Sequence, residues 1–425
     1  MLANVAYLVA LTLLAPWLMW RRRRTGRYRQ HLAAKLWGRV RIANPDGKPV
    51  AWFHGVSVGE VHLLGTLVAA FRKRHPEFLC VVSSTTDTGL AEARSRFADL
   101  PVIAWPFDFT WAAANALDAV RPAVVVLAEG ELWPNFLAAA ATRGIPVVVV
   151  NARLSPRSFG RYARVAWFAR RLLFRHLAVV AAQCDDTAAR FRKLGLPPEK
   201  LRVTGSVKYD GASGDRDTPK ARELRRLFPS PLTLVAGSTH APEEAIVLAA
   251  FARLRERFPA LGLILVPRHP DRFADVAKLL EGSAFARRSE LAAPTDAPIL
   301  LLDTVGELGA AWGLADVGYV GGTLDGVRGG QSMIEPAGYG VPTVFGPHAW
   351  NFRDAARRLV EAGGAVVVRS ADELENEVAK LLADTARRGR MGGAARDLVR
   401  AQQGATARTL DAIAATMPRR AARAA

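Results

Sequence analysis

Cysteine is nearly absent from this sequence. Its 425 residues include two cysteines, Cys80 and Cys184, and each lies in or beside an apolar run (FLCVV and VVAAQC). Two isolated cysteines exclude a disulfide framework and a cysteine-rich metal site. They suit a protein that folds in a reducing compartment.

Acidic residues are also scarce, with 39 Asp and Glu against 58 Lys and Arg, which gives a net charge of +19. A surplus of this size indicates an anionic partner: nucleic acid, an anionic membrane or phosphorylated substrates. No nucleic-acid recognition motif accompanies the charge, so we predict no nucleic-acid partner. Half of the residues are hydrophobic, and the length suits two globular α/β domains.

Charged residues are missing from the first twenty positions. A helix of this length matches the hydrocarbon core of a bilayer, and Trp17 and Trp20 fall where interfacial aromatics occur. Arg21–Arg24 follow the apolar run, whereas a cleaved signal peptide has its basic residues before it. We therefore predict a membrane anchor helix over 1–20, with the rest of the chain on the cytoplasmic side of the membrane. Pro16 leaves a kinked or merely embedded helix open.

Residues 21–41 carry nine Lys or Arg and no acid. Arg21–Arg24 fit a stop-transfer flank. The remaining five, mixed with Tyr28 and Trp37, predict a basic juxtamembrane segment on anionic headgroups, where each charge contributes about 1 kcal/mol. These five are Arg27, Arg29, Lys35, Arg39 and Arg41.

Short apolar runs then alternate with helical stretches. The strand candidates of the first half are 50–54, 78–83, 101–105, 123–128, 146–150 and 178–182; those of the second half are 232–236, 261–267, 298–302, 316–320, 341–345 and 364–368. Their unbroken apolar character predicts parallel sheets that are covered on both faces.

The rhythm breaks at a Gly-rich, charged stretch (GSVKYDGASGDRDTPK), which predicts a linker over 206–225. We expect an N-terminal Rossmann-like domain over 42–205, a second Rossmann-like domain over 226–400, and a C-terminal helix with a basic tail over 401–425. Two such sheets predict a cleft between the domains. Ligands of doubly wound sheets bind at the carboxyl ends of the strands, so functional residues are sought there.

Glu60 lies in HGVSVGEV, directly after the first strand candidate. A carboxylate in the first turn of a helix can stabilise the helix dipole. It can also act as a general base that takes the proton of an attacking hydroxyl. The same stretch contains G-x-S-x-G around Ser57, which resembles a hydrolase nucleophile elbow. Because that elbow normally follows a later strand, a serine hydrolase is a weaker alternative.

Two carboxylates, Glu129 and Glu131, follow the fourth strand candidate in EGELWPN, and NARLS follows the fifth. These polar groups could meet a polar acceptor, although helix capping and ion pairing are equally consistent with them. Asp215-Arg216-Asp217 matches the D-x-D motif of metal-dependent transferases. It lies in the predicted linker rather than at a strand end, so we predict metal-independent chemistry, with cationic groups neutralising the leaving phosphate.

In the second half, Ser238 and Thr239 follow a strand and precede a helix, a place suited to anion binding. Arg268 after the next strand could grip a phosphate or carboxylate. A Gly-rich loop with Gly321, Gly322, Gly330 and Ser332 would let the backbone approach phosphates. Glu335, one turn into the helix after this loop, could accept hydrogen bonds from ribose hydroxyls.

Taken together, these motifs resemble the Kdo (3-deoxy-D-manno-octulosonic acid) transferases of lipopolysaccharide biosynthesis, which have the GT-B fold. The resemblance covers nearly the whole chain. It is carried by HGVSVGEV, EGELWPN, NARLSPRS, AAQCDD, TGSVKYD, GSTH, LVPRHPDRF, DTVGEL, GYVGGTL and FGPHAWNF.

The resemblance implies transfer of Kdo from CMP-Kdo to the lipid A precursor lipid IVA, with inversion and with no cofactor beyond this co-substrate. It implies Glu60 as the catalytic base, Glu131 as a second acidic residue and Lys208 as a basic residue between the domains. It places Arg268, Gly306 and Glu307 of DTVGEL, and Glu335 on the nucleotide side. Many relatives read RGGHNPLE where this chain has RGGQSMIE, so a GT-B transferase with another nucleotide sugar is the alternative.

Overall fold

The computed structural model describes residues 31–417 together with Asn4, Tyr7, Thr12, Leu13, Pro16 and Trp20. The chain divides into two compact units, one of residues 1–210 and 403–425, the other of residues 211–402. The change from the first unit to the second falls inside the stretch predicted as the linker, 206–225.

The first unit contains a seven-stranded parallel sheet of order β3-β2-β1-β4-β5-β6-β7. Its strands are β1 Val50–His54, β2 Leu79–Ser84, β3 Val102–Ala104, β4 Pro122–Ala128, β5 Val147–Ala152, β6 Val179–Ala182 and β7 Leu201–Val203. Its helices are α1 Leu32–Trp37, α2 Val58–Arg74, α3 Asp87–Arg96, α4 Thr110–Val120, α5 Pro134–Thr142, α6 Pro156–Ala163, α7 Ala166–Leu172 and α8 Asp185–Lys193.

Both faces of this sheet are buried. Alternate residues of β1 point to opposite faces, so Trp52 joins a core with α4, α5 and Phe174, while Phe53 joins a core with α2. The continuous apolar runs read from the sequence are the direct result, since each face needs its own apolar residues.

The second unit contains another seven-stranded parallel sheet, of order β10-β11-β9-β8-β12-β13-β14. Its strands are β8 Leu232–Thr239, β9 Leu261–Pro267, β10 Phe285–Arg287, β11 Ile299–Leu301, β12 Val317–Val320, β13 Thr343–Phe345 and β14 Ala365–Val367. Its helices are α9 Pro219–Leu227, α10 Glu243–Arg257, α11 Phe273–Leu279, α12 Leu308–Leu314, α13 Ile334–Gly338, α14 Arg353–Glu361, α15 Ala371–Ala383 and α16 Thr385–Gln402.

Two α/β domains with parallel sheets are thus confirmed, and every predicted strand is present. The strands β7 and β10 are absent from the sequence prediction. Both are three residues long and lie at sheet edges. An edge strand is covered less completely, so the apolar run that marks the central strands is missing.

The C-terminal helix α17 (Ala405–Ala414) packs on the first unit, where Leu410 and Ile413 join the core beneath α2. Asp210 accepts a hydrogen bond from the backbone N–H of Gly404 (2.7 Å), which fixes the start of this helix. The chain therefore returns to the unit in which it began, a route for which the sequence carries no local signal.

The predicted anchor over 1–20 is described only at the six residues given above, and 21–30 lie outside the described residues. Among the residues that are described, no helix combines the length and the apolar character needed to cross a bilayer. Tyr7 donates a hydrogen bond to Asp108 (2.9 Å) of the first unit. Lys35 was expected on the basic juxtamembrane surface, but it is buried and pairs with Asp87 (3.2 Å).

Candidate functional site

The carboxyl ends of β1, β4 and β5 are neighbours in the first sheet, and each is followed by polar residues. Glu60 lies in the first turn of α2 after β1, Glu129 follows β4, and Asn151 is the second-to-last residue of β5. The sheet order therefore brings to one edge three segments that are far apart in sequence.

Glu60 caps the helix that it begins. Its carboxylate accepts hydrogen bonds from the Ser57 hydroxyl (2.9 Å) and from the backbone N–H of Val56 (2.9 Å), while Ser57 Oγ accepts from the Glu60 N–H (3.3 Å). The arrangement is close to a capping box, but the carboxylate reaches the N–H of Val56, the residue before the N-cap Ser57. Burial nevertheless raises the pKa of Glu60; the two hydrogen bonds oppose the rise, and the charges of Glu129 and Glu131 add to it. A carboxylate with a raised pKa is a better proton acceptor.

Ser57 does not have the geometry of a nucleophile elbow. Its backbone is extended (φ −106°, ψ 163°) rather than strained, and its hydroxyl donates to Glu60. The nearest histidine in sequence, His54, contacts Ser83 and Thr85 instead. The hydrolase alternative therefore lacks the serine–histidine contact that its mechanism requires.

Of the two carboxylates that follow β4, Glu129 is the one that contacts Lys208 and Asn151. Lys208 Nζ is 3.0 Å from Glu129 Oε1, and the Asn151 amide donates to the same oxygen (3.4 Å). Glu131 is exposed, and partial desolvation raises the pKa of its carboxyl. Glu131 is the second acidic residue that the family resemblance implies; the contact with Lys208 makes Glu129 a further candidate for the site.

Three residues at strand ends adopt a left-handed backbone that is rare outside glycine: Glu129 (φ 57°), Asn151 (φ 51°) and Ser238 (φ 56°). Such residues cost about 1–3 kcal/mol each and concentrate at functional sites. Asn151 is buried, and its amide oxygen accepts the backbone N–H of Val207 (3.1 Å). This bond fixes the segment that carries Lys208.

A buried, neutral histidine lies at the carboxyl end of β1, beneath the polar residues of this sheet edge. His54, the last residue of β1, is buried, stacks on Trp105 (ring centroids 3.8 Å apart) and contacts the Ser83 hydroxyl through Nδ1 (3.0 Å). Burial lowers its pKa to about 3, so the ring is uncharged near neutral pH. A single histidine at the end of an apolar run gave no signal of this role.

In the second unit, Ser238 is the extra residue of a bulge in β8, opposite β9. The following Thr239 is buried. Gly321 packs directly on this bulge, because a Cβ at position 321 would lie 2.6 Å from the Ser238 carbonyl oxygen. Glycine is thus required here for close backbone contact inside the protein.

The Gly-rich loop is held by Glu243, the first residue of α10. This buried carboxylate accepts hydrogen bonds from the backbone N–H groups of Gly322 (2.6 Å), Thr323 (2.9 Å) and Leu324 (3.0 Å). It also accepts from the Tyr319 hydroxyl (2.8 Å). Nothing in the local sequence around Glu243 predicts this role.

The N–H groups of the other two predicted glycines are also bonded within the unit. Gly321 donates to Gly237 (2.9 Å), and Gly330 donates to Gly322 (2.7 Å). The loop was expected to offer these N–H groups to phosphate. These three N–H groups instead shape the loop, and the side chains beside it carry positive charge.

Those side chains form a basic cluster of His240, His269, Arg268 and Arg328 with Gln331. Gln331 Oε1 accepts from Arg268 Nε (3.2 Å), and its amide nitrogen is 3.5 Å from His240 Nε2. Burial lowers the pKa of His240 to about 4, with the charge of Arg328 adding to the effect. Gln331, which departs from the family pattern, thus orients Arg268 with a neutral acceptor.

Glu335 follows the cluster on α13. Its carboxyl is exposed but partly shielded by surrounding protein atoms, which raises its pKa; a hydrogen bond from Ser332 and the charge of Arg268 oppose the rise. Ser332 and Arg268 therefore both lie close enough to Glu335 to act on its carboxyl.

The DTVGEL turn is largely tied into the second unit. Arg288 contacts Glu307 (3.0 Å), and the Lys220 ammonium donates to the Gly306 carbonyl (3.3 Å). Asp303 is bound by Arg287 and Ser289; these hydrogen bonds outweigh its burial and lower its pKa. Gly306 and Glu307 therefore shape this turn through contacts within the protein.

Both aspartates of the D-x-D motif in the predicted linker make contacts within the protein. Asp217 pairs with Arg222 (2.8 Å). Within the described part of the chain, no group of three or more His, Cys, Asp or Glu residues could hold a metal ion.

Comparisons with known proteins identify relatives of this chain. Residues 21–211 match the family model described as 3-deoxy-D-manno-octulosonic-acid transferase (kdotransferase). The chain is 38% identical to the 3-deoxy-D-manno-octulosonic acid transferase of Bordetella pertussis, over 96% of this chain and 98% of that protein. It is 35% identical to the one of Haemophilus influenzae, over 91% of each.

Among solved structures, the chain is similar to MurG from Acinetobacter baumannii. The TM-score is 0.55 at 16% identity, with 87% of this chain and 99% of that one covered. At this identity the likeness shows the fold alone, a GT-B-like pair of parallel-sheet domains.

Proposed function

Because the chain belongs to the 3-deoxy-D-manno-octulosonic acid (Kdo) transferase family and is therefore a glycosyltransferase, we propose that it moves Kdo from CMP-Kdo onto the lipid A precursor lipid IVA, with inversion and without a metal ion. The observation that carries this proposal is the Glu60 carboxylate, held at the carboxyl end of β1 with a raised pKa. A transferase needs such a group to take the proton of a weakly nucleophilic sugar hydroxyl.

In the proposed reaction, the acceptor hydroxyl oxygen forms a bond to the anomeric carbon of Kdo while its proton passes to Glu60. The bond from that carbon to the phosphate of CMP breaks, and CMP leaves with the electron pair. Attack from the face opposite CMP inverts the anomeric centre. Lys208 and Glu129 form an ion pair (3.0 Å), and the charge of Glu129 acts on Glu60. Because the pair lies near the proposed base, it helps to position the acceptor.

The donor residues in this proposal lie in the second unit. Arg268 supplies a guanidinium to the phosphate or to the carboxylate of Kdo, a pairing for which its planar fork is suited. Glu335 accepts hydrogen bonds from the ribose, with Ser332 beside it. Ser238 and Thr239 border the same strand end, and no further cofactor is proposed.

The proposed location is the cytoplasmic face of the inner membrane. It is supported by the apolar run over 1–20 and by the arginines that follow it, since cytoplasmic flanks carry the excess of positive charge. The anionic membrane, CMP-Kdo and the phosphorylated lipid together account for a net charge of +19.

The test is incubation of the purified full chain with CMP-Kdo and a tetra-acylated lipid A precursor, followed by mass spectrometry. We expect products heavier by one or more Kdo residues, the same yield with a chelator, and no product with UDP-N-acetylglucosamine. Transfer from the UDP-sugar but not from CMP-Kdo would favour the alternative GT-B donor. Labelling of Ser57 by a fluorophosphonate, with no transfer from either donor, would favour the hydrolase.

A further inference from the structure

One stretch of the first unit combines arginines with exposed aromatic residues. Between Leu132 and Cys184 the sequence contains no Asp or Glu, and residues 153–175, here called the arginine–aromatic segment, contain seven arginines. All seven are exposed: Arg153, Arg157, Arg161, Arg164, Arg170, Arg171 and Arg175.

This segment leads from β5 to β6 through α6 and α7, and few residues of these two helices are buried. The helix α6 buries no residue, and α7 buries only Ala169. Trp167 is 62% exposed and Phe168 is 57% exposed. Soluble monomers seldom leave neighbouring large apolar side chains in water, and such patches mark interaction sites.

The chemistry of this patch identifies its partner. The Arg171 guanidinium lies 5.4 Å from the centre of the Trp167 ring, so charge and aromatic surface are presented side by side. Tryptophan favours the boundary between lipid headgroups and acyl chains. Arginine next to such an apolar face is typical of helices that lie on anionic membranes.

A pocket of about 410 Å³ opens at the base of the segment. Its lining is mainly apolar, with Arg153 and Arg161 as its charged members; the apolar side chains are Leu132, Leu154, Tyr162, Val165, Phe174 and Phe191. The pocket therefore offers hydrocarbon contact beside positive charge, as an anionic lipid requires.

The segment shares one face of the first sheet with α1. Phe174 and Ala169 pack in the same core as Val40 and α4, and α4 holds α1 through a hydrogen bond from Trp111 Nε1 to the Leu36 carbonyl (2.9 Å). Trp37 on α1 is exposed. The part of the predicted juxtamembrane segment that the structure describes, from residue 31 onward, thus belongs to the same side of this unit as the arginine–aromatic segment.

We propose that the arginine–aromatic segment docks on an anionic lipid bilayer, with Trp167 and Phe168 inserted at the headgroup boundary and the arginines on lipid phosphates. This contact is distinct from the predicted N-terminal anchor. It deepens, and in that respect rests on, the membrane part of the proposed function. It would hold the face of the unit that bears the pocket against the lipid layer from which the acceptor comes.

The test uses the full chain with Cys80 and Cys184 replaced by alanine and one new cysteine carrying an environment-sensitive nitrobenzoxadiazole dye. The probe position is Phe168→Cys, and the matched control is Leu279→Cys, an exposed apolar residue of the second unit. Each is mixed with vesicles of phosphatidylcholine, with and without phosphatidylglycerol, and vesicle binding is measured separately by co-sedimentation.

We expect the dye at position 168 to brighten several-fold and shift to the blue with phosphatidylglycerol vesicles, and the dye at position 279 to stay unchanged. Arg164→Gln, Arg170→Gln and Arg171→Gln should each weaken binding, by up to about fivefold per charge. No change at position 168 while the protein sediments with vesicles, or no sedimentation at all, would overturn the proposal.

A change at position 168 without vesicles that grows with protein concentration would also overturn it, since it would show a second copy of the chain on this surface. Vesicle binding requires neither CMP-Kdo nor turnover. A failure of this proposal would therefore leave the transfer assay, and the proposed function with it, untouched.

Discussion

Lys208 Nζ lies 3.0 Å from Glu129 Oε1, although three strands, β5, β6 and β7, separate the two residues in the sequence. Both side chains are about one quarter exposed, so the pair is open to a ligand as well as to its partner. Asn151 donates to the same carboxylate and also binds the segment that bears Lys208. The pair is therefore held by the protein and not by its own attraction alone.

We predict that Glu129→Gln lowers the rate of Kdo transfer roughly tenfold to a hundredfold, because Lys208 loses its fixed position. The free energy of unfolding should change by less than about 1 kcal/mol, since partly exposed ion pairs contribute little. Asp99→Asn, which breaks the exposed pair with Arg72 (2.7 Å), is the control. Equal rates for the two variants would show that the Glu129–Lys208 pair has no part in catalysis.

Glu60 is both a helix cap and the proposed base, and two substitutions separate these roles. Glu60→Gln should lower transfer by about 10²–10⁴-fold while retaining hydrogen-bonding capacity at the cap. Ser57→Ala should cost about 1 kcal/mol of stability and leave most of the transfer activity. Transfer rates and urea unfolding of both variants decide the matter; a larger loss of activity in Ser57→Ala would contradict the base assignment.

The pH dependence of transfer follows from the same residue. A general base must be ionised, and burial raises the pKa of Glu60 above its ordinary value of 4.5. We expect kcat/KM for the acceptor to fall as the pH drops through this raised pKa. The acidic limb should be lost in the residual activity of Glu60→Gln, and an unchanged limb would assign it to another group.

Glu243 should control the shape of the Gly-rich loop. In Glu243→Gln an amide N–H₂ group faces backbone donors, so we expect a loss of roughly 2–4 kcal/mol in stability and weaker CMP binding. Tyr319→Phe removes one hydrogen bond and should cost about 1 kcal/mol. Urea unfolding and calorimetric titration with CMP measure the two effects. Unchanged CMP affinity in folded Glu243→Gln would show that the loop does not position the nucleotide.

Acid should destabilise the first unit through His54. Its folded-state pKa of about 3 lies below the unfolded value of 6.5, so the unfolded state binds the proton first. Stability contributed by neutral His54 is complete above about pH 6.5 and is lost as the pH falls, by up to about 1.4 kcal/mol per pH unit. His54→Phe should make urea unfolding less dependent on pH than in the parent chain, and parallel pH profiles would contradict this role.

Particular residues show what could be read without a structure. The runs AVVVLA and PVVVV predict β4 and β5 because a strand buried on both faces must be apolar throughout. The polar residues that follow them then mark a strand end. The same reasoning selects Glu60 and Arg268 as candidates, the Gly-rich loop selects Glu335, and the order of the motifs indicates the family.

The partners of these residues were beyond such reasoning. Glu129 and Glu131 are equivalent as sequence, and only the order of the strands places Lys208 against the former. The same holds for Glu243, whose acceptor role depends on a loop far along the chain, and for Gln331, which contacts Arg268 from a distant segment.

The sequence by itself determined the two parallel-sheet domains, most of their strands and the family, because local hydrophobic pattern and motif order are properties of neighbouring residues. Only the tertiary structure decided which carboxylate meets Lys208, which acceptors hold the Gly-rich loop, and that α17 returns to the first unit. Each of these depends on contacts between segments distant in the chain, and such contacts are set by sheet order and packing.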